Sequence, residues 1–558
     1  MREHRPRDMS PIELGFTPQR AVPWLNPGLL VTTGIRTVLS DLFGAYLDKR
    51  EMQAVLGSDR FDHTGATELW LDYTADVGDG FDATYSIASL LARPVLEVGD
   101  AYGAALELPR GEVLVLGGDQ VYPTASGTAY GNRWKGPYRA ALPVRTSRTP
   151  TLYALPGNHD WYDGLTAFLR LFAQGDCAGG WQTRQQRSYF ALALPHRWWL
   201  YAVDTQLDVY IDKPQLRYFQ AAAADLRPGD RVILCLSRPT WVISQQDPQA
   251  YDSTDYFLRT VVEPTGARVP IMLTGDAHHY ARYAGDGPDG RGRQLVTCGG
   301  GGAYLVGTAH LPDRIAVPPP TTLTRRASEP QHYELVGTYP TPAHSRRLGW
   351  SVFTRLPWRN PGFLVLLGLM QTLLMFAMRT AHGRLLNGPI VIAVTAVVAG
   401  TVLFAVVQAL QRGRLRHWVA ALLHAVPHVA LGVVGTAVWS SLPLAQLPNP
   451  WSILLAFTVY GPVVALLDCW IVGIYLVTAS RFQVNVNELY AGLGIEDHKS
   501  FLRMHIDADG SLTIYPVAVD RVGRRWRADP GAPSEAPWVV TDEPIAARLA
   551  EAPVSVSW

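Results

Sequence analysis

Cysteine is scarce in this chain: 558 residues contain four, Cys177, Cys235, Cys298 and Cys469, with no Cys-x-x-Cys spacing. That excludes a disulfide framework and a structural zinc site, and it fits a reducing compartment. Net charge is almost absent as well, at +1 from 49 basic and 48 acidic residues, so no bulk attraction toward nucleic acid is expected. Lysine is sparse among the basic residues (Lys49, Lys135, Lys213 and Lys499), a bias without mechanistic content. Residues 1–8 lack the apolar core of a signal peptide, which sets the expectation of a domain that is not exported. The chain is too long for one core, so several domains are expected.

Against these absences stand two short signatures. Val113-Leu114-Val115-Leu116 breaks into Gly117-Gly118-Asp119-Gln120-Val121-Tyr122, and Thr151-Leu152-Tyr153-Ala154-Leu155-Pro156 breaks into Gly157-Asn158-His159-Asp160. Each is a buried-strand pattern ending in a polar loop, the usual place for a site in an α/β sheet. Each alone is equally a tight turn capped by Asp or Asn. Together they offer oxygen and nitrogen donors suited to hard or borderline metal ions.

In this order the signatures resemble the calcineurin-like metallophosphoesterases, in the style of the purple acid phosphatase branch, over residues 65–315. Asp76-Val77-Gly78 matches the first motif, Gly118-Asp119-Gln120-Val121-Tyr122 the second and Gly157-Asn158-His159-Asp160 the third. The fourth motif departs, with Ser237 in Ser237-Arg238-Pro239 where a His is usual; the fifth departs too, reading Gly275-Asp276-Ala277-His278. The resemblance implies a four-layer α+β sandwich flanked by helices and a phosphomonoesterase or phosphodiesterase with two divalent or trivalent metal ions, iron and manganese first, zinc or magnesium as alternatives. It implies Asp76, Tyr122 and His278 on one ion, Asp119 bridging, and Asn158 with Asp276 on the other. Gly78, where the wider superfamily has a His ligand, is consistent with Tyr122 taking that place. His159 would be the general acid and Asp160 its orienting, pKa-raising partner. The two departures leave open an altered, metal-binding sensor or scaffold.

After the fifth motif come Gly299-Gly300-Gly301-Gly302, without a P-loop Lys, read as a loop beside the site, and His310, read as a packing residue that can also approach the metals. A Pro-rich linker is placed at 316–361, and residues 1–64 are read as an N-terminal extension with a helix over 30–57. Apolar runs at 362–378, 389–410, 418–440 and 451–479 approach the roughly 20 residues that cross a bilayer, giving four expected membrane helices over 362–480. Arginine near their ends predicts both soluble parts on the cytoplasmic side of a cell membrane. A transport protein is the less favoured alternative. Within the spans His424, His428 and Asp468 are either functional or satisfied polar groups of a bundle. Residues 481–558 are expected to form a small cytoplasmic domain with a hairpin around Asp507-Ala508-Asp509-Gly510. The expected partners are a phosphoester substrate, nucleotide or lipid-linked, and the bilayer, but no nucleic acid.

Overall fold

The computed structural model describes residues 11–34, 51–57, 60–99, 105–146, 149–205, 211–286, 292–320, 327–380, 415–529 and 533–556. The chain divides into two compact units, Met1–Val22 with Thr33–Pro342 and Ile495–Trp558, and Pro23–Thr32 with Ala343–Gly494.

In the first unit, short runs rich in Val, Leu and Ile become strands buried on both faces. Val113–Leu116 lies in parallel between Leu69–Thr74 and Thr151–Ala154. Arg231–Leu236 lies in parallel between Trp198–Val203 and Arg268–Thr274. Burial on both faces explains why these strands read as continuous apolar runs rather than as alternation. Among the described residues the first set belongs to an eleven-stranded sheet and the second to a nine-stranded one.

The pleat then sorts the side chains. Leu71, Tyr73, Val115 and Tyr153 share one core with Leu192, Leu200, Ile233 and Ile271 of the other sheet. Leu114, Leu116 and Leu152 point the other way and pack with Phe81, Tyr85, Tyr138 and Phe168 from the helices Phe81–Leu91, Gly136–Ala141 and Thr166–Phe172. Tyr201, Val203, Val232 and Leu234 likewise meet Tyr218 and Phe219 of the helix Lys213–Ala223. The result is a mixed α/β arrangement of helix, sheet, sheet and helix. Each fully buried Leu or Ile contributes about 1.5–3 kcal/mol to holding the layers together.

The structure draws the boundaries elsewhere than the sequence does. Residues 495–556 do not form a body of their own. Lys499–Ile506 and Leu512–Val519 form the expected hairpin, but Lys499–Ile506 also pairs antiparallel with Leu69–Thr74 inside the eleven-stranded sheet. The stretch expected as a Pro-rich linker carries the second half of the strand Arg314–Val317 and the whole of Gln331–Tyr339, which pair with each other; the second also pairs with Tyr280–Gly285. Its prolines sit outside these strands, where a missing backbone N–H costs nothing. Of the helix expected over 30–57, residues 35–50 lie outside the described residues.

In the second unit, Pro361–Thr380, Leu415–Ser441 and Gly461–Ser480 pack pairwise as helices. Among the described residues two helices are long and apolar enough to cross a membrane, Pro361–Arg379 and Trp451–Ser480, with mean hydropathy 1.9 and 2.0. The second holds a π-helical turn at Ala456–Tyr460. The four expected spans are thus two on these grounds. The run at 389–410 lies outside the described residues, and Leu415–Ser441 carries Arg416, His417, His424 and His428 in its apolar sequence.

Candidate active site

Strand register brings the motifs together. Thr74 pairs with Leu116, and Leu116 with Ala154, so three parallel strands end level and release their loops at one edge. The first two loops are laced to each other: Asp76 N donates to Gly118 O at 2.9 Å, Val77 N to Asp119 O at 3.0 Å and Gly78 N to Gln120 O at 3.1 Å. In the other sheet Leu236 pairs with Thr274, and Thr274 with Thr297, so the fourth and fifth motifs and the glycine run also leave side by side. Asp76, Asp119, Asp276 and His278 all adopt positive φ, 58°, 51°, 70° and 51°. Left-handed backbone is uncommon outside glycine, and four such residues at one site mark strain held in place by the surrounding structure.

The glycine run makes this packing possible. A Cβ on Gly299 would lie 2.2 Å from Asp76 Oδ2, and one on Gly302 would lie 1.9 Å from Val77 O. The run therefore presses against the Asp76 loop, with Gly301 N donating to Ala75 O at 2.9 Å and Ala303 N to Asp76 O at 2.8 Å.

Three of the predicted residues converge on the phenol of a fourth. Tyr122 OH lies 3.1 Å from Asp76 Oδ1, 3.3 Å from Asp119 Oδ2 and 3.0 Å from His278 Nε2. The other His278 nitrogen, Nδ1, is 2.9 Å from Tyr304 O. A carbonyl only accepts, so Nδ1 carries the proton and Nε2 presents its lone pair to the cluster. Burial pushes His278 down to about 3, which keeps the imidazole neutral. Burial pushes Asp119 up to about 8, reinforced by the Asp276 charge, and raises Asp76 well above the carboxylate range with the same two acids nearby. Buried acids so close together call for positive charge. Among the described residues no three His, Cys, Asp or Glu side chains form a ready metal cage; the Tyr122 hydroxyl is what joins the four.

The third motif opens the short helix Asn158–Trp161. His159 N donates to Asp119 Oδ1 at 2.8 Å, and Asn158 Nδ2 donates to Tyr162 OH at 3.1 Å. Here the expectation for Asp160 needs correction. Its carboxylate accepts from Gly157 N at 2.9 Å, from Gln120 N at 3.2 Å and from Tyr130 OH. It fastens the motif loops to one another. His159 Nδ1 instead faces Pro123 O at 2.6 Å, which fixes the tautomer and leaves Nε2 as the reactive nitrogen. The His159 pKa is not raised either: burial lowers it to about 4.

Asp276 lies just beyond the end of Arg268–Thr274 in the other sheet. Its own N–H donates to Asp76 Oδ2 at 2.8 Å, and burial raises its carboxyl against the opposing charges of Arg238 and His159. Ser237 is 1% exposed, and among the described residues its hydroxyl has no hydrogen-bond partner. His279 and His310 face each other with ring centroids 6.1 Å apart. Reasoning from the sequence missed Tyr130, Tyr304 and Lys499. Lys499 is fully buried, donates to Ala303 O at 2.5 Å behind the glycine run and is lowered to about 8 by burial. Nothing local in the sequence marks it.

In the second unit, the three polar residues singled out above do meet. His428 Nδ1 lies 2.5 Å from Asp468 Oδ1, and His428 Nε2 lies 3.3 Å from His424 Nδ1. The ring of His424 stacks on Tyr475 at 4.1 Å. His428 and Asp468 are buried and satisfied by each other, as polar groups inside a helix bundle must be.

No family model matches the sequence, and no curated protein matches it at a significant level. Solved structures similar to part of the chain include purple acid phosphatase PPD1 from yellow lupin (Lupinus luteus) seeds, at 14% identity, TM-score 0.30 and coverage of 44% of this chain and 46% of that one. Another is PhoD, at 10% identity, TM-score 0.28 and coverage of 44% and 60%. The matched part of this chain thus spans roughly half the length of those proteins.

Proposed function

We propose that this chain is a metal-dependent phosphoesterase, held at a bilayer by its two long apolar helices. The observation that carries this reading is the convergence of Asp76, Asp119 and His278 on the Tyr122 hydroxyl, beside the Asn158–His159 turn. Two carboxylates, a phenol and a neutral imidazole fit a hard or borderline ion, with iron or manganese preferred over zinc. Those four side chains would hold it, and its charge would answer the buried acids. A bound ion supplies Lewis acidity toward a phosphoryl oxygen and an acidified water.

The remaining work belongs to the chain's own residues. Asp119 is shared, one oxygen toward Tyr122 and the other fixed by His159 N–H, so it ties the ion's position to the leaving-group side. His159 Nε2 stands there as proton donor or acceptor, its ring set by Pro123. The negative charge of a bound phosphate draws the His159 pKa upward from about 4, toward the range of a working acid. Asp160 and Tyr130 hold the loop still. The substrate is a phosphomonoester or phosphodiester, nucleotide or lipid-linked, and the catalytic unit faces the cytoplasm.

Turnover of an aryl phosphate and of a bis-aryl phosphodiester with added manganese or iron tests the proposal. Wild-type protein should release the phenol, and Asp119→Ala should lose at least about a thousandfold, since the shared carboxylate serves both the ion and the His159 turn. Equal rates in the two proteins would remove the assignment.

A further inference from the structure

We propose that the Arg238 guanidinium, rather than a second resident metal ion, grips the non-bridging phosphoryl oxygens in this site. The inference rests on the phosphoesterase reading and concerns how that site neutralises its substrate.

The ligand set for a second ion does not fit well. Ser237 stands where an imidazole would be expected, and a hydroxyl at that depth is a weak neutral donor. Asp276 and Asn158 remain; Asn158 Nδ2 donates to Tyr162 OH, so its Oδ1 and one carboxylate are the donors on offer, fewer than a tightly held ion needs. A cation placed against Asp276 would also meet Arg238, and two like charges in a buried site oppose each other strongly.

The backbone explains why Arg238 is there. Leu236 and Thr274 are register partners on neighbouring parallel strands, so Arg238 and Asp276 each lie two residues beyond a shared point. The turn reaches the second motif: Ser237 O is 3.7 Å from where a Cβ of Gly118 would be. Thr240 N donates to Arg238 O at 2.8 Å and fixes the turn. Among the described residues, buried Arg238 Nε finds no hydrogen-bond partner, and neither does Ser237 Oγ beside it. A buried guanidinium donor and a buried hydroxyl left unmatched, next to an acid cluster at the strand ends, are what a phosphoryl oxyanion would satisfy. The guanidinium fork matches two phosphoryl oxygens at once, which a point charge cannot do. Asp276 then feels the guanidinium charge through space rather than ligating an ion.

The test uses the full-length protein in detergent, loaded with excess manganese or iron, dialysed and measured for metal content. Inorganic phosphate binding is followed by calorimetry. One ion per chain is expected. Arg238→Ala should weaken phosphate binding by about 10–100-fold with metal content unchanged, and Arg238→Lys should fall between, keeping charge but losing the fork. Thermal unfolding of both variants near the wild-type temperature shows that the fold is retained. Two tightly held ions in wild-type protein, or phosphate affinity unaltered in Arg238→Ala, would overturn the proposal while hydrolysis stands. A wild-type protein that neither hydrolyses aryl phosphates nor binds phosphate overturns the phosphoesterase reading with it.

Discussion

Asp72 and Asp76 lie four residues apart on one stretch of chain, both essentially without solvent contact, yet their surroundings are opposite. Asp72 is gripped by both arms of Arg503, Nε to Oδ1 at 2.7 Å and Nη2 to Oδ2 at 2.9 Å, and also accepts from Gly111 N at 3.2 Å. Asp76 has a neutral phenol, one backbone N–H and two further acids. One carboxylate is fully compensated by the protein itself. The other meets no arginine fork among the described residues, and under the proposed function a bound ion would answer its charge. Buried charge is matched by a two-armed partner in the first case and, on that reading, left to a ligand in the second.

The comparison breaks most visibly at its architectural end. Arg503→Met should cost about 3–5 kcal/mol in a denaturant titration, because it strands Asp72 without a partner. Adding Asp72→Leu should recover much of that loss. At the functional end the sign reverses. Asp76→Asn in metal-free protein should raise stability by about 1–2 kcal/mol while abolishing turnover, since it removes one of several mutually repelling acids. A stability loss there would mean that Asp76 is compensated internally after all. The smallest effect sharpens the contrast between buried and exposed pairs. Arg548 and Asp520 make a similar two-armed contact, at 2.9 Å for each arm, but their side chains are 45% and 53% exposed. Asp520→Asn should cost less than about 1 kcal/mol. The Arg548 hydrogen bonds lower the Asp520 carboxyl, so its contribution is present above its unfolded pKa near 3.8 and fades as pH falls below that value. Denaturation curves at pH 6 and pH 3 on wild type and variant would show the gap closing.

The clustering of the candidate residues was legible in the sequence because they sit where apolar strands stop. Asp76, Asp119, Tyr122, Asn158 and His278 each follow within a few residues of such an end, so a local pattern locates them. The role given to Asp160 failed for the opposite reason: its partner Tyr130 is 30 residues away on another element, and adjacency to His159 was a poor guide. The hairpin at 499–519 was readable from its own residues, but its pairing with Leu69–Thr74 was not, because a strand's pattern does not name its neighbour. Arg238 lay within a recognised motif and was passed over as the residue between two noted positions. The apolar helices declared themselves by length, whereas the meeting of His428 with Asp468 depends on how two helices pack.

The Arg503–Asp72 pair joins residues 431 positions apart in the chain. At ribosomal speeds of about 5–20 residues per second, the first partner waits roughly 20–90 s for the second. During that interval Leu69–Thr74 has an open edge, and the glycine run lacks the clamps that Lys499 and Ser500 place on Ala303 O and Gly300 O. Both long apolar helices are synthesised inside the same interval. A nascent chain would therefore expose both apolar helices before its candidate site is assembled, so that the site is completed only after those helices have left the ribosome.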